Sequence, residues 1–252
     1  MTKKNNPGLW KEKIPRAEKD GHKYDRGLAV IYGASELTGA SRLAASACAR
    51  IGAGLTTVLC VPETAVIYRS SLPAHIMVRD DVNWDDARVT ARLYGSGGLA
   101  RGVKIKTAGA AVLDAGALFC LPGDLHENIV LTPHEGEFAR AFPDIVGSRE
   151  EKAAKAAEKT GAVVVLKGAQ TLIAAPDGRM VVQEESSPYL ASAGTGDVLA
   201  GIITGLLAQG MGGFDAACAA VWIHAQAGIK VGVGLVASDL PDIIPEIIKD
   251  FA

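Results

Sequence analysis

Five short runs, LAVIYG (28–33), LTTVLCV (55–61), AAVLDAG (110–116), NIVLTP (128–133) and AVVVLKG (162–168), are apolar almost from end to end. A strand with one wet face alternates apolar and polar residues, so continuous runs of this length mark strands covered on both faces. Between them, the stretches 39–51, 136–142 and 148–159 carry helical periodicity, and Ser148 with Glu151 fits a capping box. Strand, helix, strand at this spacing predicts right-handed βαβ units and an α/β fold with a mostly parallel sheet between helical layers.

After Lys167 the pattern changes. TLIAAP and RMVVQE flank Asp177-Gly178, which is a hairpin signal. Helices are expected at about 197–209, ended by Gly210, at about 214–231, and at about 239–249. No repeat or linker interrupts the 252 residues, which read as an extended N-terminal arm (1–21) and one domain (22–252). A net charge of −2 gives no electrostatic case for nucleic acid or an anionic membrane as partner. No apolar run is long enough to span a bilayer, and the first residues lack the apolar core of a signal peptide, which predicts a cytoplasmic protein. Cys48, Cys60, Cys120 and Cys218 stand singly in apolar or Ala-rich runs and read as buried thiols. The dispersed histidines argue against zinc, and no metal ligand is assigned.

In open parallel sheets, ligands gather at the carboxyl ends of the strands. Five segments fall at that edge. GASELTGAS (33–41) lacks the lysine of a Walker loop and reads equally well as a tight turn. YGSGGLA (94–100) permits close backbone approach at Gly97 but lacks the context of a dinucleotide fingerprint. In TPHEGE (132–137), His134 is either a ligand contact or a helix cap, and the residues do not choose. KGAQT (167–171) leaves a lysine beside a glycine at a strand end, a common place to meet an anion. In SAGTGDVLAG (192–201), Gly194, Thr195 and Gly196 turn their amides out of a helix start, and Asp197 follows. Alone, Asp197 reads as a cap. Facing the same edge as Lys167 and His134, it becomes a candidate base beside a phosphate nest.

The order of GHKYDRG, TGASRLAASACARIGAGLTTV, VLDA, LTPHEGEFAR, VLKGAQTLIAAPDGR and AGTGDVLAGIITGLLAQG resembles the ADP-dependent NAD(P)H-hydrate dehydratase family, the C-terminal part of the YjeF proteins. The similarity runs from about His22 to the C-terminus. It implies a ribokinase-like three-layer αβα sandwich without the lid of the sugar kinases. It also implies repair of NADH or NADPH hydrated at C6: ADP or ATP phosphorylates the C6 hydroxyl and phosphate is then lost. By the same resemblance, Asp197 is catalytic, and Ala40, Gly97, His134 and Asp197 contact the substrate. Lys167, Gly168, Ala169, Gln170, Thr171, Gly194, Thr195 and Gly196 hold the nucleotide. Mg2+ is the implied cofactor, and a homo-oligomer, commonly a tetramer, the implied assembly.

Three departures stand out. The segment YGSGGLARGVKIKTAGAAVLDAG is several residues short of the family's pattern, so the helix between its two strands should be truncated. Gly116 stands where the family commonly has aspartate. SSPY (186–189) replaces a G-N-P-G turn, which places Tyr189 either at the substrate entrance or on the surface. Two alternatives share Asp197 and the glycine turn: a ribokinase-like kinase of a hydroxymethylpyrimidine, thiazole or sugar, and a catalytically degenerate nucleotide-binding paralogue.

Overall fold

A computed structural model describes residues 2–251. Its strands are β1 (Lys3–Lys4), β2 (Leu28–Tyr32), β3 (Leu55–Leu59), β4 (Ile76–Arg79), β5 (Val89–Tyr94), β6 (Ala110–Leu113), β7 (Ile129–Leu131), β8 (Val163–Leu166), β9 (Thr171–Ala174) and β10 (Met180–Gln183). Its helices are α1 (Thr38–Arg50), α2 (Ala65–Ser71), α3 (Glu135–Ala141), α4 (Arg149–Thr160), α5 (Thr195–Ala208), α6 (Gly213–Val231) and α7 (Leu240–Ile248). The strands form one sheet in the order β1-β10-β9-β8-β7-β6-β5-β2-β3-β4. Only β9 runs against its neighbours, through the hairpin signalled by Asp177-Gly178.

Alternation along the strands divides the core in two. Ala29, Ile31, Leu93, Val112, Val130 and Val163 face α1, α5, α6 and α7. Val30, Tyr32, Tyr94, Leu113, Leu131 and Val164 face α3 and α4. Both sets are almost wholly buried, so the strands are apolar on each face, as helices packed on both sides require. Helix α4 begins with the expected capping box: Glu151 N donates to Ser148 Oγ at 3.2 Å, and Ser148 N donates to Glu151 Oε2 at 2.9 Å.

The N-terminal stretch packs along the body, and two other expectations are corrected. β1 extends the sheet beside β10, and Trp10, 1% exposed, packs its ring 5.5 Å from those of Trp222 and Phe251. Cys120 is exposed at the end of a short 3-10 turn, whereas Cys48, Cys60 and Cys218 are buried. Between β5 and β6 the helix is missing altogether rather than shortened. The connection is a loop, pinned where Lys106 N donates to the Tyr94 hydroxyl at 3.0 Å and where Thr107 O lies 2.9 Å from His126 Nε2.

Candidate active site

Adjacent strands β8, β7, β6 and β5 are each followed, within two residues, by a polar residue: Lys167, Thr132, Asp114 and Ser96. Parallel strands in register deliver such residues to one edge, and here they meet. Lys167 Nζ lies 3.1 Å from Asp114 Oδ1 and 3.7 Å from Glu137 Oε2. Thr132 Oγ1 donates to the same Asp114 oxygen at 2.7 Å, and Ser96 Oγ donates to Oδ2 at 3.4 Å. Asp114 is only 3% exposed, so these contacts meet the requirement that a buried charge be paired and hydrogen-bonded. Burial pulls the Lys167 ammonium down, but Asp114, Glu137 and Asp197 together outweigh it and hold the group above its ordinary value.

Asp197 lies in the first turn of α5, half-buried, and makes no capping bond; Gly194 occupies the N-cap position. Burial raises its carboxyl to about 6, Asp114 and Glu137 add to the rise, and the Ser96 hydroxyl and Lys167 offset part of it. A carboxyl raised in this way, and not used as a cap, is a candidate proton acceptor.

Gly194 enters α5 at φ +90°, where a Cβ would stand 2.6 Å from Leu43 Cδ1 and 3.0 Å from Ala237 Cβ. Any other residue there is both strained and crowded. Thr195 is buried, and its hydroxyl donates to Leu190 O at 2.7 Å, anchoring the turn to the segment before it. Its carbonyl lies 2.9 Å from His224 Nε2 on α6, a ring that burial drives down to about 4 and so keeps neutral near pH 7.

His134 resolves as a cap. Its Nδ1 accepts from Gly136 N at 3.0 Å and Glu137 N at 3.2 Å, while its own backbone N donates to Glu137 Oε2 at 2.8 Å. With Nδ1 accepting, the other ring nitrogen, Nε2, lies 3.6 Å from Glu137 Oε1. His134 also bridges to Lys167 in the sheet.

A cavity of about 760 Å3 opens beside this cluster, walled by Lys167, Gly168, Ala169, Thr171, Thr195, Gly196, His134, His224 and residues of the 186–192 segment. Of the expected nucleotide residues, Gln170 and Gly194 stay out of the wall. The Gln170 carbonyl accepts from Arg149 Nη1 at 2.6 Å, and the same guanidinium reaches Leu166 O at 3.3 Å and Lys167 O at 3.4 Å. Of the expected substrate residues, Ala40, Gly97 and Asp197 lie outside this cavity wall and only His134 is in it. Gly97, at φ +79°, abuts α1, where a Cβ would sit 2.9 Å from Ala40 Cβ. That contact is tied to the charged cluster by Ser41, whose Oγ donates to Ser96 O at 3.0 Å. The expected residues thus fall into two adjacent groups, meeting where a Cβ on Gly196 would be 3.4 Å from Lys167 Nζ. Tyr189, 43% exposed, lies on the surface.

Sequence reasoning missed Asp114, Glu137, Ser96, His224 and Arg149. Asp114 was legible as an acid immediately after an apolar strand run, and Glu137 as the partner of a His cap. The other three owe their place to pairings across the fold.

A family model described as NAD(P)H-hydrate dehydratase matches residues 28–249. The ADP-dependent (S)-NAD(P)H-hydrate dehydratase of Neisseria meningitidis is 38% identical over 254 residues, covering 88% of this chain and 83% of that protein. The bifunctional NAD(P)H-hydrate repair enzyme Nnr of Moorella thermoacetica is 36% identical over 279 residues; the match covers 95% of this chain and 52% of the relative, so the chain spans about half the length of that protein. Among solved structures, the ADP/ATP-dependent NAD(P)H-hydrate dehydratase of Bacillus subtilis, co-crystallised with ATP and Mg2+, superposes with a TM-score of 0.84 at 26% identity, covering 100% of this chain and 99% of that one. The ribokinase-like α/β fold expected from the motifs is the fold observed. On the family model, the relatives and the shared fold together, this chain belongs to the NAD(P)H-hydrate dehydratase family.

Proposed function

We propose that the protein is an ADP-dependent (S)-NAD(P)H-hydrate dehydratase, with ADP or ATP as phosphoryl donor. The observation that carries the reading is the junction at Lys167 and Gly196, where a nucleotide-sized cavity meets a half-buried carboxyl raised to about 6. The amides of the 168–171 loop and of the 194–196 turn hold the phosphates, and the Lys167 ammonium faces the transferring phosphoryl group. Asp197 takes the proton of the C6 hydroxyl as that oxygen bonds to phosphorus and the bond to the nucleotide breaks. Hydroxide is a poor leaving group and phosphate a good one. The C6–O bond then breaks with its electron pair leaving on phosphate, and a proton lost from C5 closes the ring double bond.

Family membership implies Mg2+. Among the described residues, no three His, Cys, Asp or Glu side chains are placed to hold a metal ion, and Asp114 and Glu137 are engaged by Lys167. The side chains alone build no metal cage. Mg2+ fits here as the companion of nucleotide phosphates, with water and at most one or two of these carboxylates completing its shell. When bound it would neutralise phosphate charge.

Incubating the purified protein with NADH hydrate, Mg2+ and ADP or ATP should restore the absorbance of NADH. No recovery with either nucleotide overturns the reading, and stable phosphorylation of a thiazole, pyrimidine or sugar alcohol would replace it with a kinase. The family also suggests a homotetramer, which light scattering on the eluted protein tests.

A further inference from the structure

Two nucleotide-bearing molecules cannot occupy one cavity. If the 760 Å3 space takes the phosphoryl donor, the dinucleotide substrate needs room of its own, reached from Ala40, Gly97 and Asp197. A second cavity, about 470 Å3, opens between α1, the turn joining α2 to β4, and the start of α7. On α1 its wall is Gly39, Arg42, Leu43, Ser46 and Arg50, spaced by three and four residues and so forming one stripe of the helix.

Two neighbours place this cavity near the expected site residues. Gly39 precedes Ala40 in the first turn of α1, and Leu43 Cδ1 stands 2.6 Å from where a Cβ on Gly194 would be, in the turn that leads to Asp197. The chemistry of the wall is cationic. Arg42, Arg50 and His75 face a single carboxylate, Asp242, which accepts from Arg50 Nη2 at 2.7 Å. Arg42 Nε is shut off from solvent yet has no hydrogen-bond partner among the described residues. Buried donors in native proteins are satisfied, so a guanidinium that lines the cavity with its Nε unpaired has donors to offer an acceptor entering there. Guanidinium groups match phosphate oxygens in two-point geometry.

We propose that this second cavity receives the phosphate-bearing adenosine arm of the hydrated dinucleotide, with Arg42 and His75 binding its phosphate oxygens and Arg50 exchanging Asp242 for them. The inference rests on the repair function above but assigns residues outside the reacting centre. It makes Arg42 a specificity residue, used by the substrate and not by the donor.

The test compares hydrated NADPH, hydrated NADH and hydrated dihydronicotinamide mononucleotide, which lacks the arm, with ADP as donor. Arg42→Met should raise KM for both dinucleotides about tenfold while leaving kcat, the KM for ADP and the KM for the mononucleotide unchanged. His75→Ala, a change at an exposed position, should give a smaller shift of the same pattern, and Arg42→Lys should restore part of the loss. An equal shift for the mononucleotide would make Arg42 a prop for α1 and overturn the proposal, as would no shift at all. If Arg42→Met does not fold, the His75→Ala and Arg42→Lys comparisons decide. Should the wild-type protein repair no hydrate, the repair function fails separately. Fluorescence titration with NADPH then judges the cavity: weaker binding to the variants supports it, and equal binding rejects it.

Discussion

The wall of the large cavity and the charged cluster beside it are built on opposite plans. The wall is mostly backbone and small side chains: Gly168, Ala169, Gly196 and Thr195, whose hydroxyl is spent on Leu190 O. The cluster is all side chain: Lys167, Asp114, Glu137 and Asp197, gathered from two strand ends and two helix starts. A surface made of amides tolerates side-chain replacement as long as the turn keeps its shape. A cluster of coupled charges does not, because each member is compensated by the others. Binding and chemistry should therefore separate under mutation, and that separation is where the comparison is open to attack.

The largest effect is expected from Asp197→Asn. Turnover should fall by about 10²–10⁴, while nucleotide affinity, measured by titration calorimetry, stays within several-fold. Stability should move the other way. The folded-state carboxyl of Asp197 lies above the unfolded value, so its favourable contribution is complete below pH 4 and is lost as pH rises through about 6. Removing the charge should thus gain about 1 kcal/mol at pH 8 after allowance for solvent screening, or about 2–4 °C in Tm. A loss of stability instead would return Asp197 to the role of a cap.

Next comes Lys167→Met, which strands Asp114, 3% exposed, without its cation. It should destabilise the fold by about 3 kcal/mol in urea melts and abolish turnover. A variant as stable as the parent would show that the cluster is not coupled. The pH profile follows in size: kcat/KM for the hydrate should climb through an apparent pKa near 6, because the base form of Asp197 is required. A flat profile from pH 5 to 8 would remove the carboxyl from the rate-determining chemistry.

Gly194→Ala, forced to φ +90° against Leu43, should cost about 1–3 kcal/mol and weaken nucleotide binding more than it lowers kcat. The smallest effect belongs to Gln170→Ala. Only its carbonyl is used, so less than a twofold change in nucleotide KM is expected. A large change would mean that the wall reads side chains after all.

What was legible in the sequence follows the same division. The five continuous apolar runs and the capping box at Ser148 are local signals, and each matches an element. β5 was not read as a strand because VTARLY carries Arg92. That side chain is buried only because it pairs with Asp85 at 2.8 Å, which periodicity cannot reveal. β4 sits at the sheet edge with Met77 exposed and lacks a continuous apolar signature. At the site, glycine turns announce themselves in the chain because backbone geometry is local. Asp114 and Glu137 show in the chain only as acids at a strand end and a helix start; their pairing depends on Lys167, from another strand. Trp10, in a charged N-terminal stretch, was hidden for the same reason: its partners Trp222 and Phe251 lie more than two hundred residues away.

Arg149, the first residue of α4, collects the carbonyls of Leu166, Lys167 and Gln170 on a single fork. A peptide loop ordinarily shows an anion both polarities, attracting with one edge and repelling with the other. By drawing the oxygens to the far side, this guanidinium acts as a polarity filter, leaving the near side to N–H dipoles. If the loop holds phosphate as proposed, part of that preference would be set from behind, by the first residue of α4.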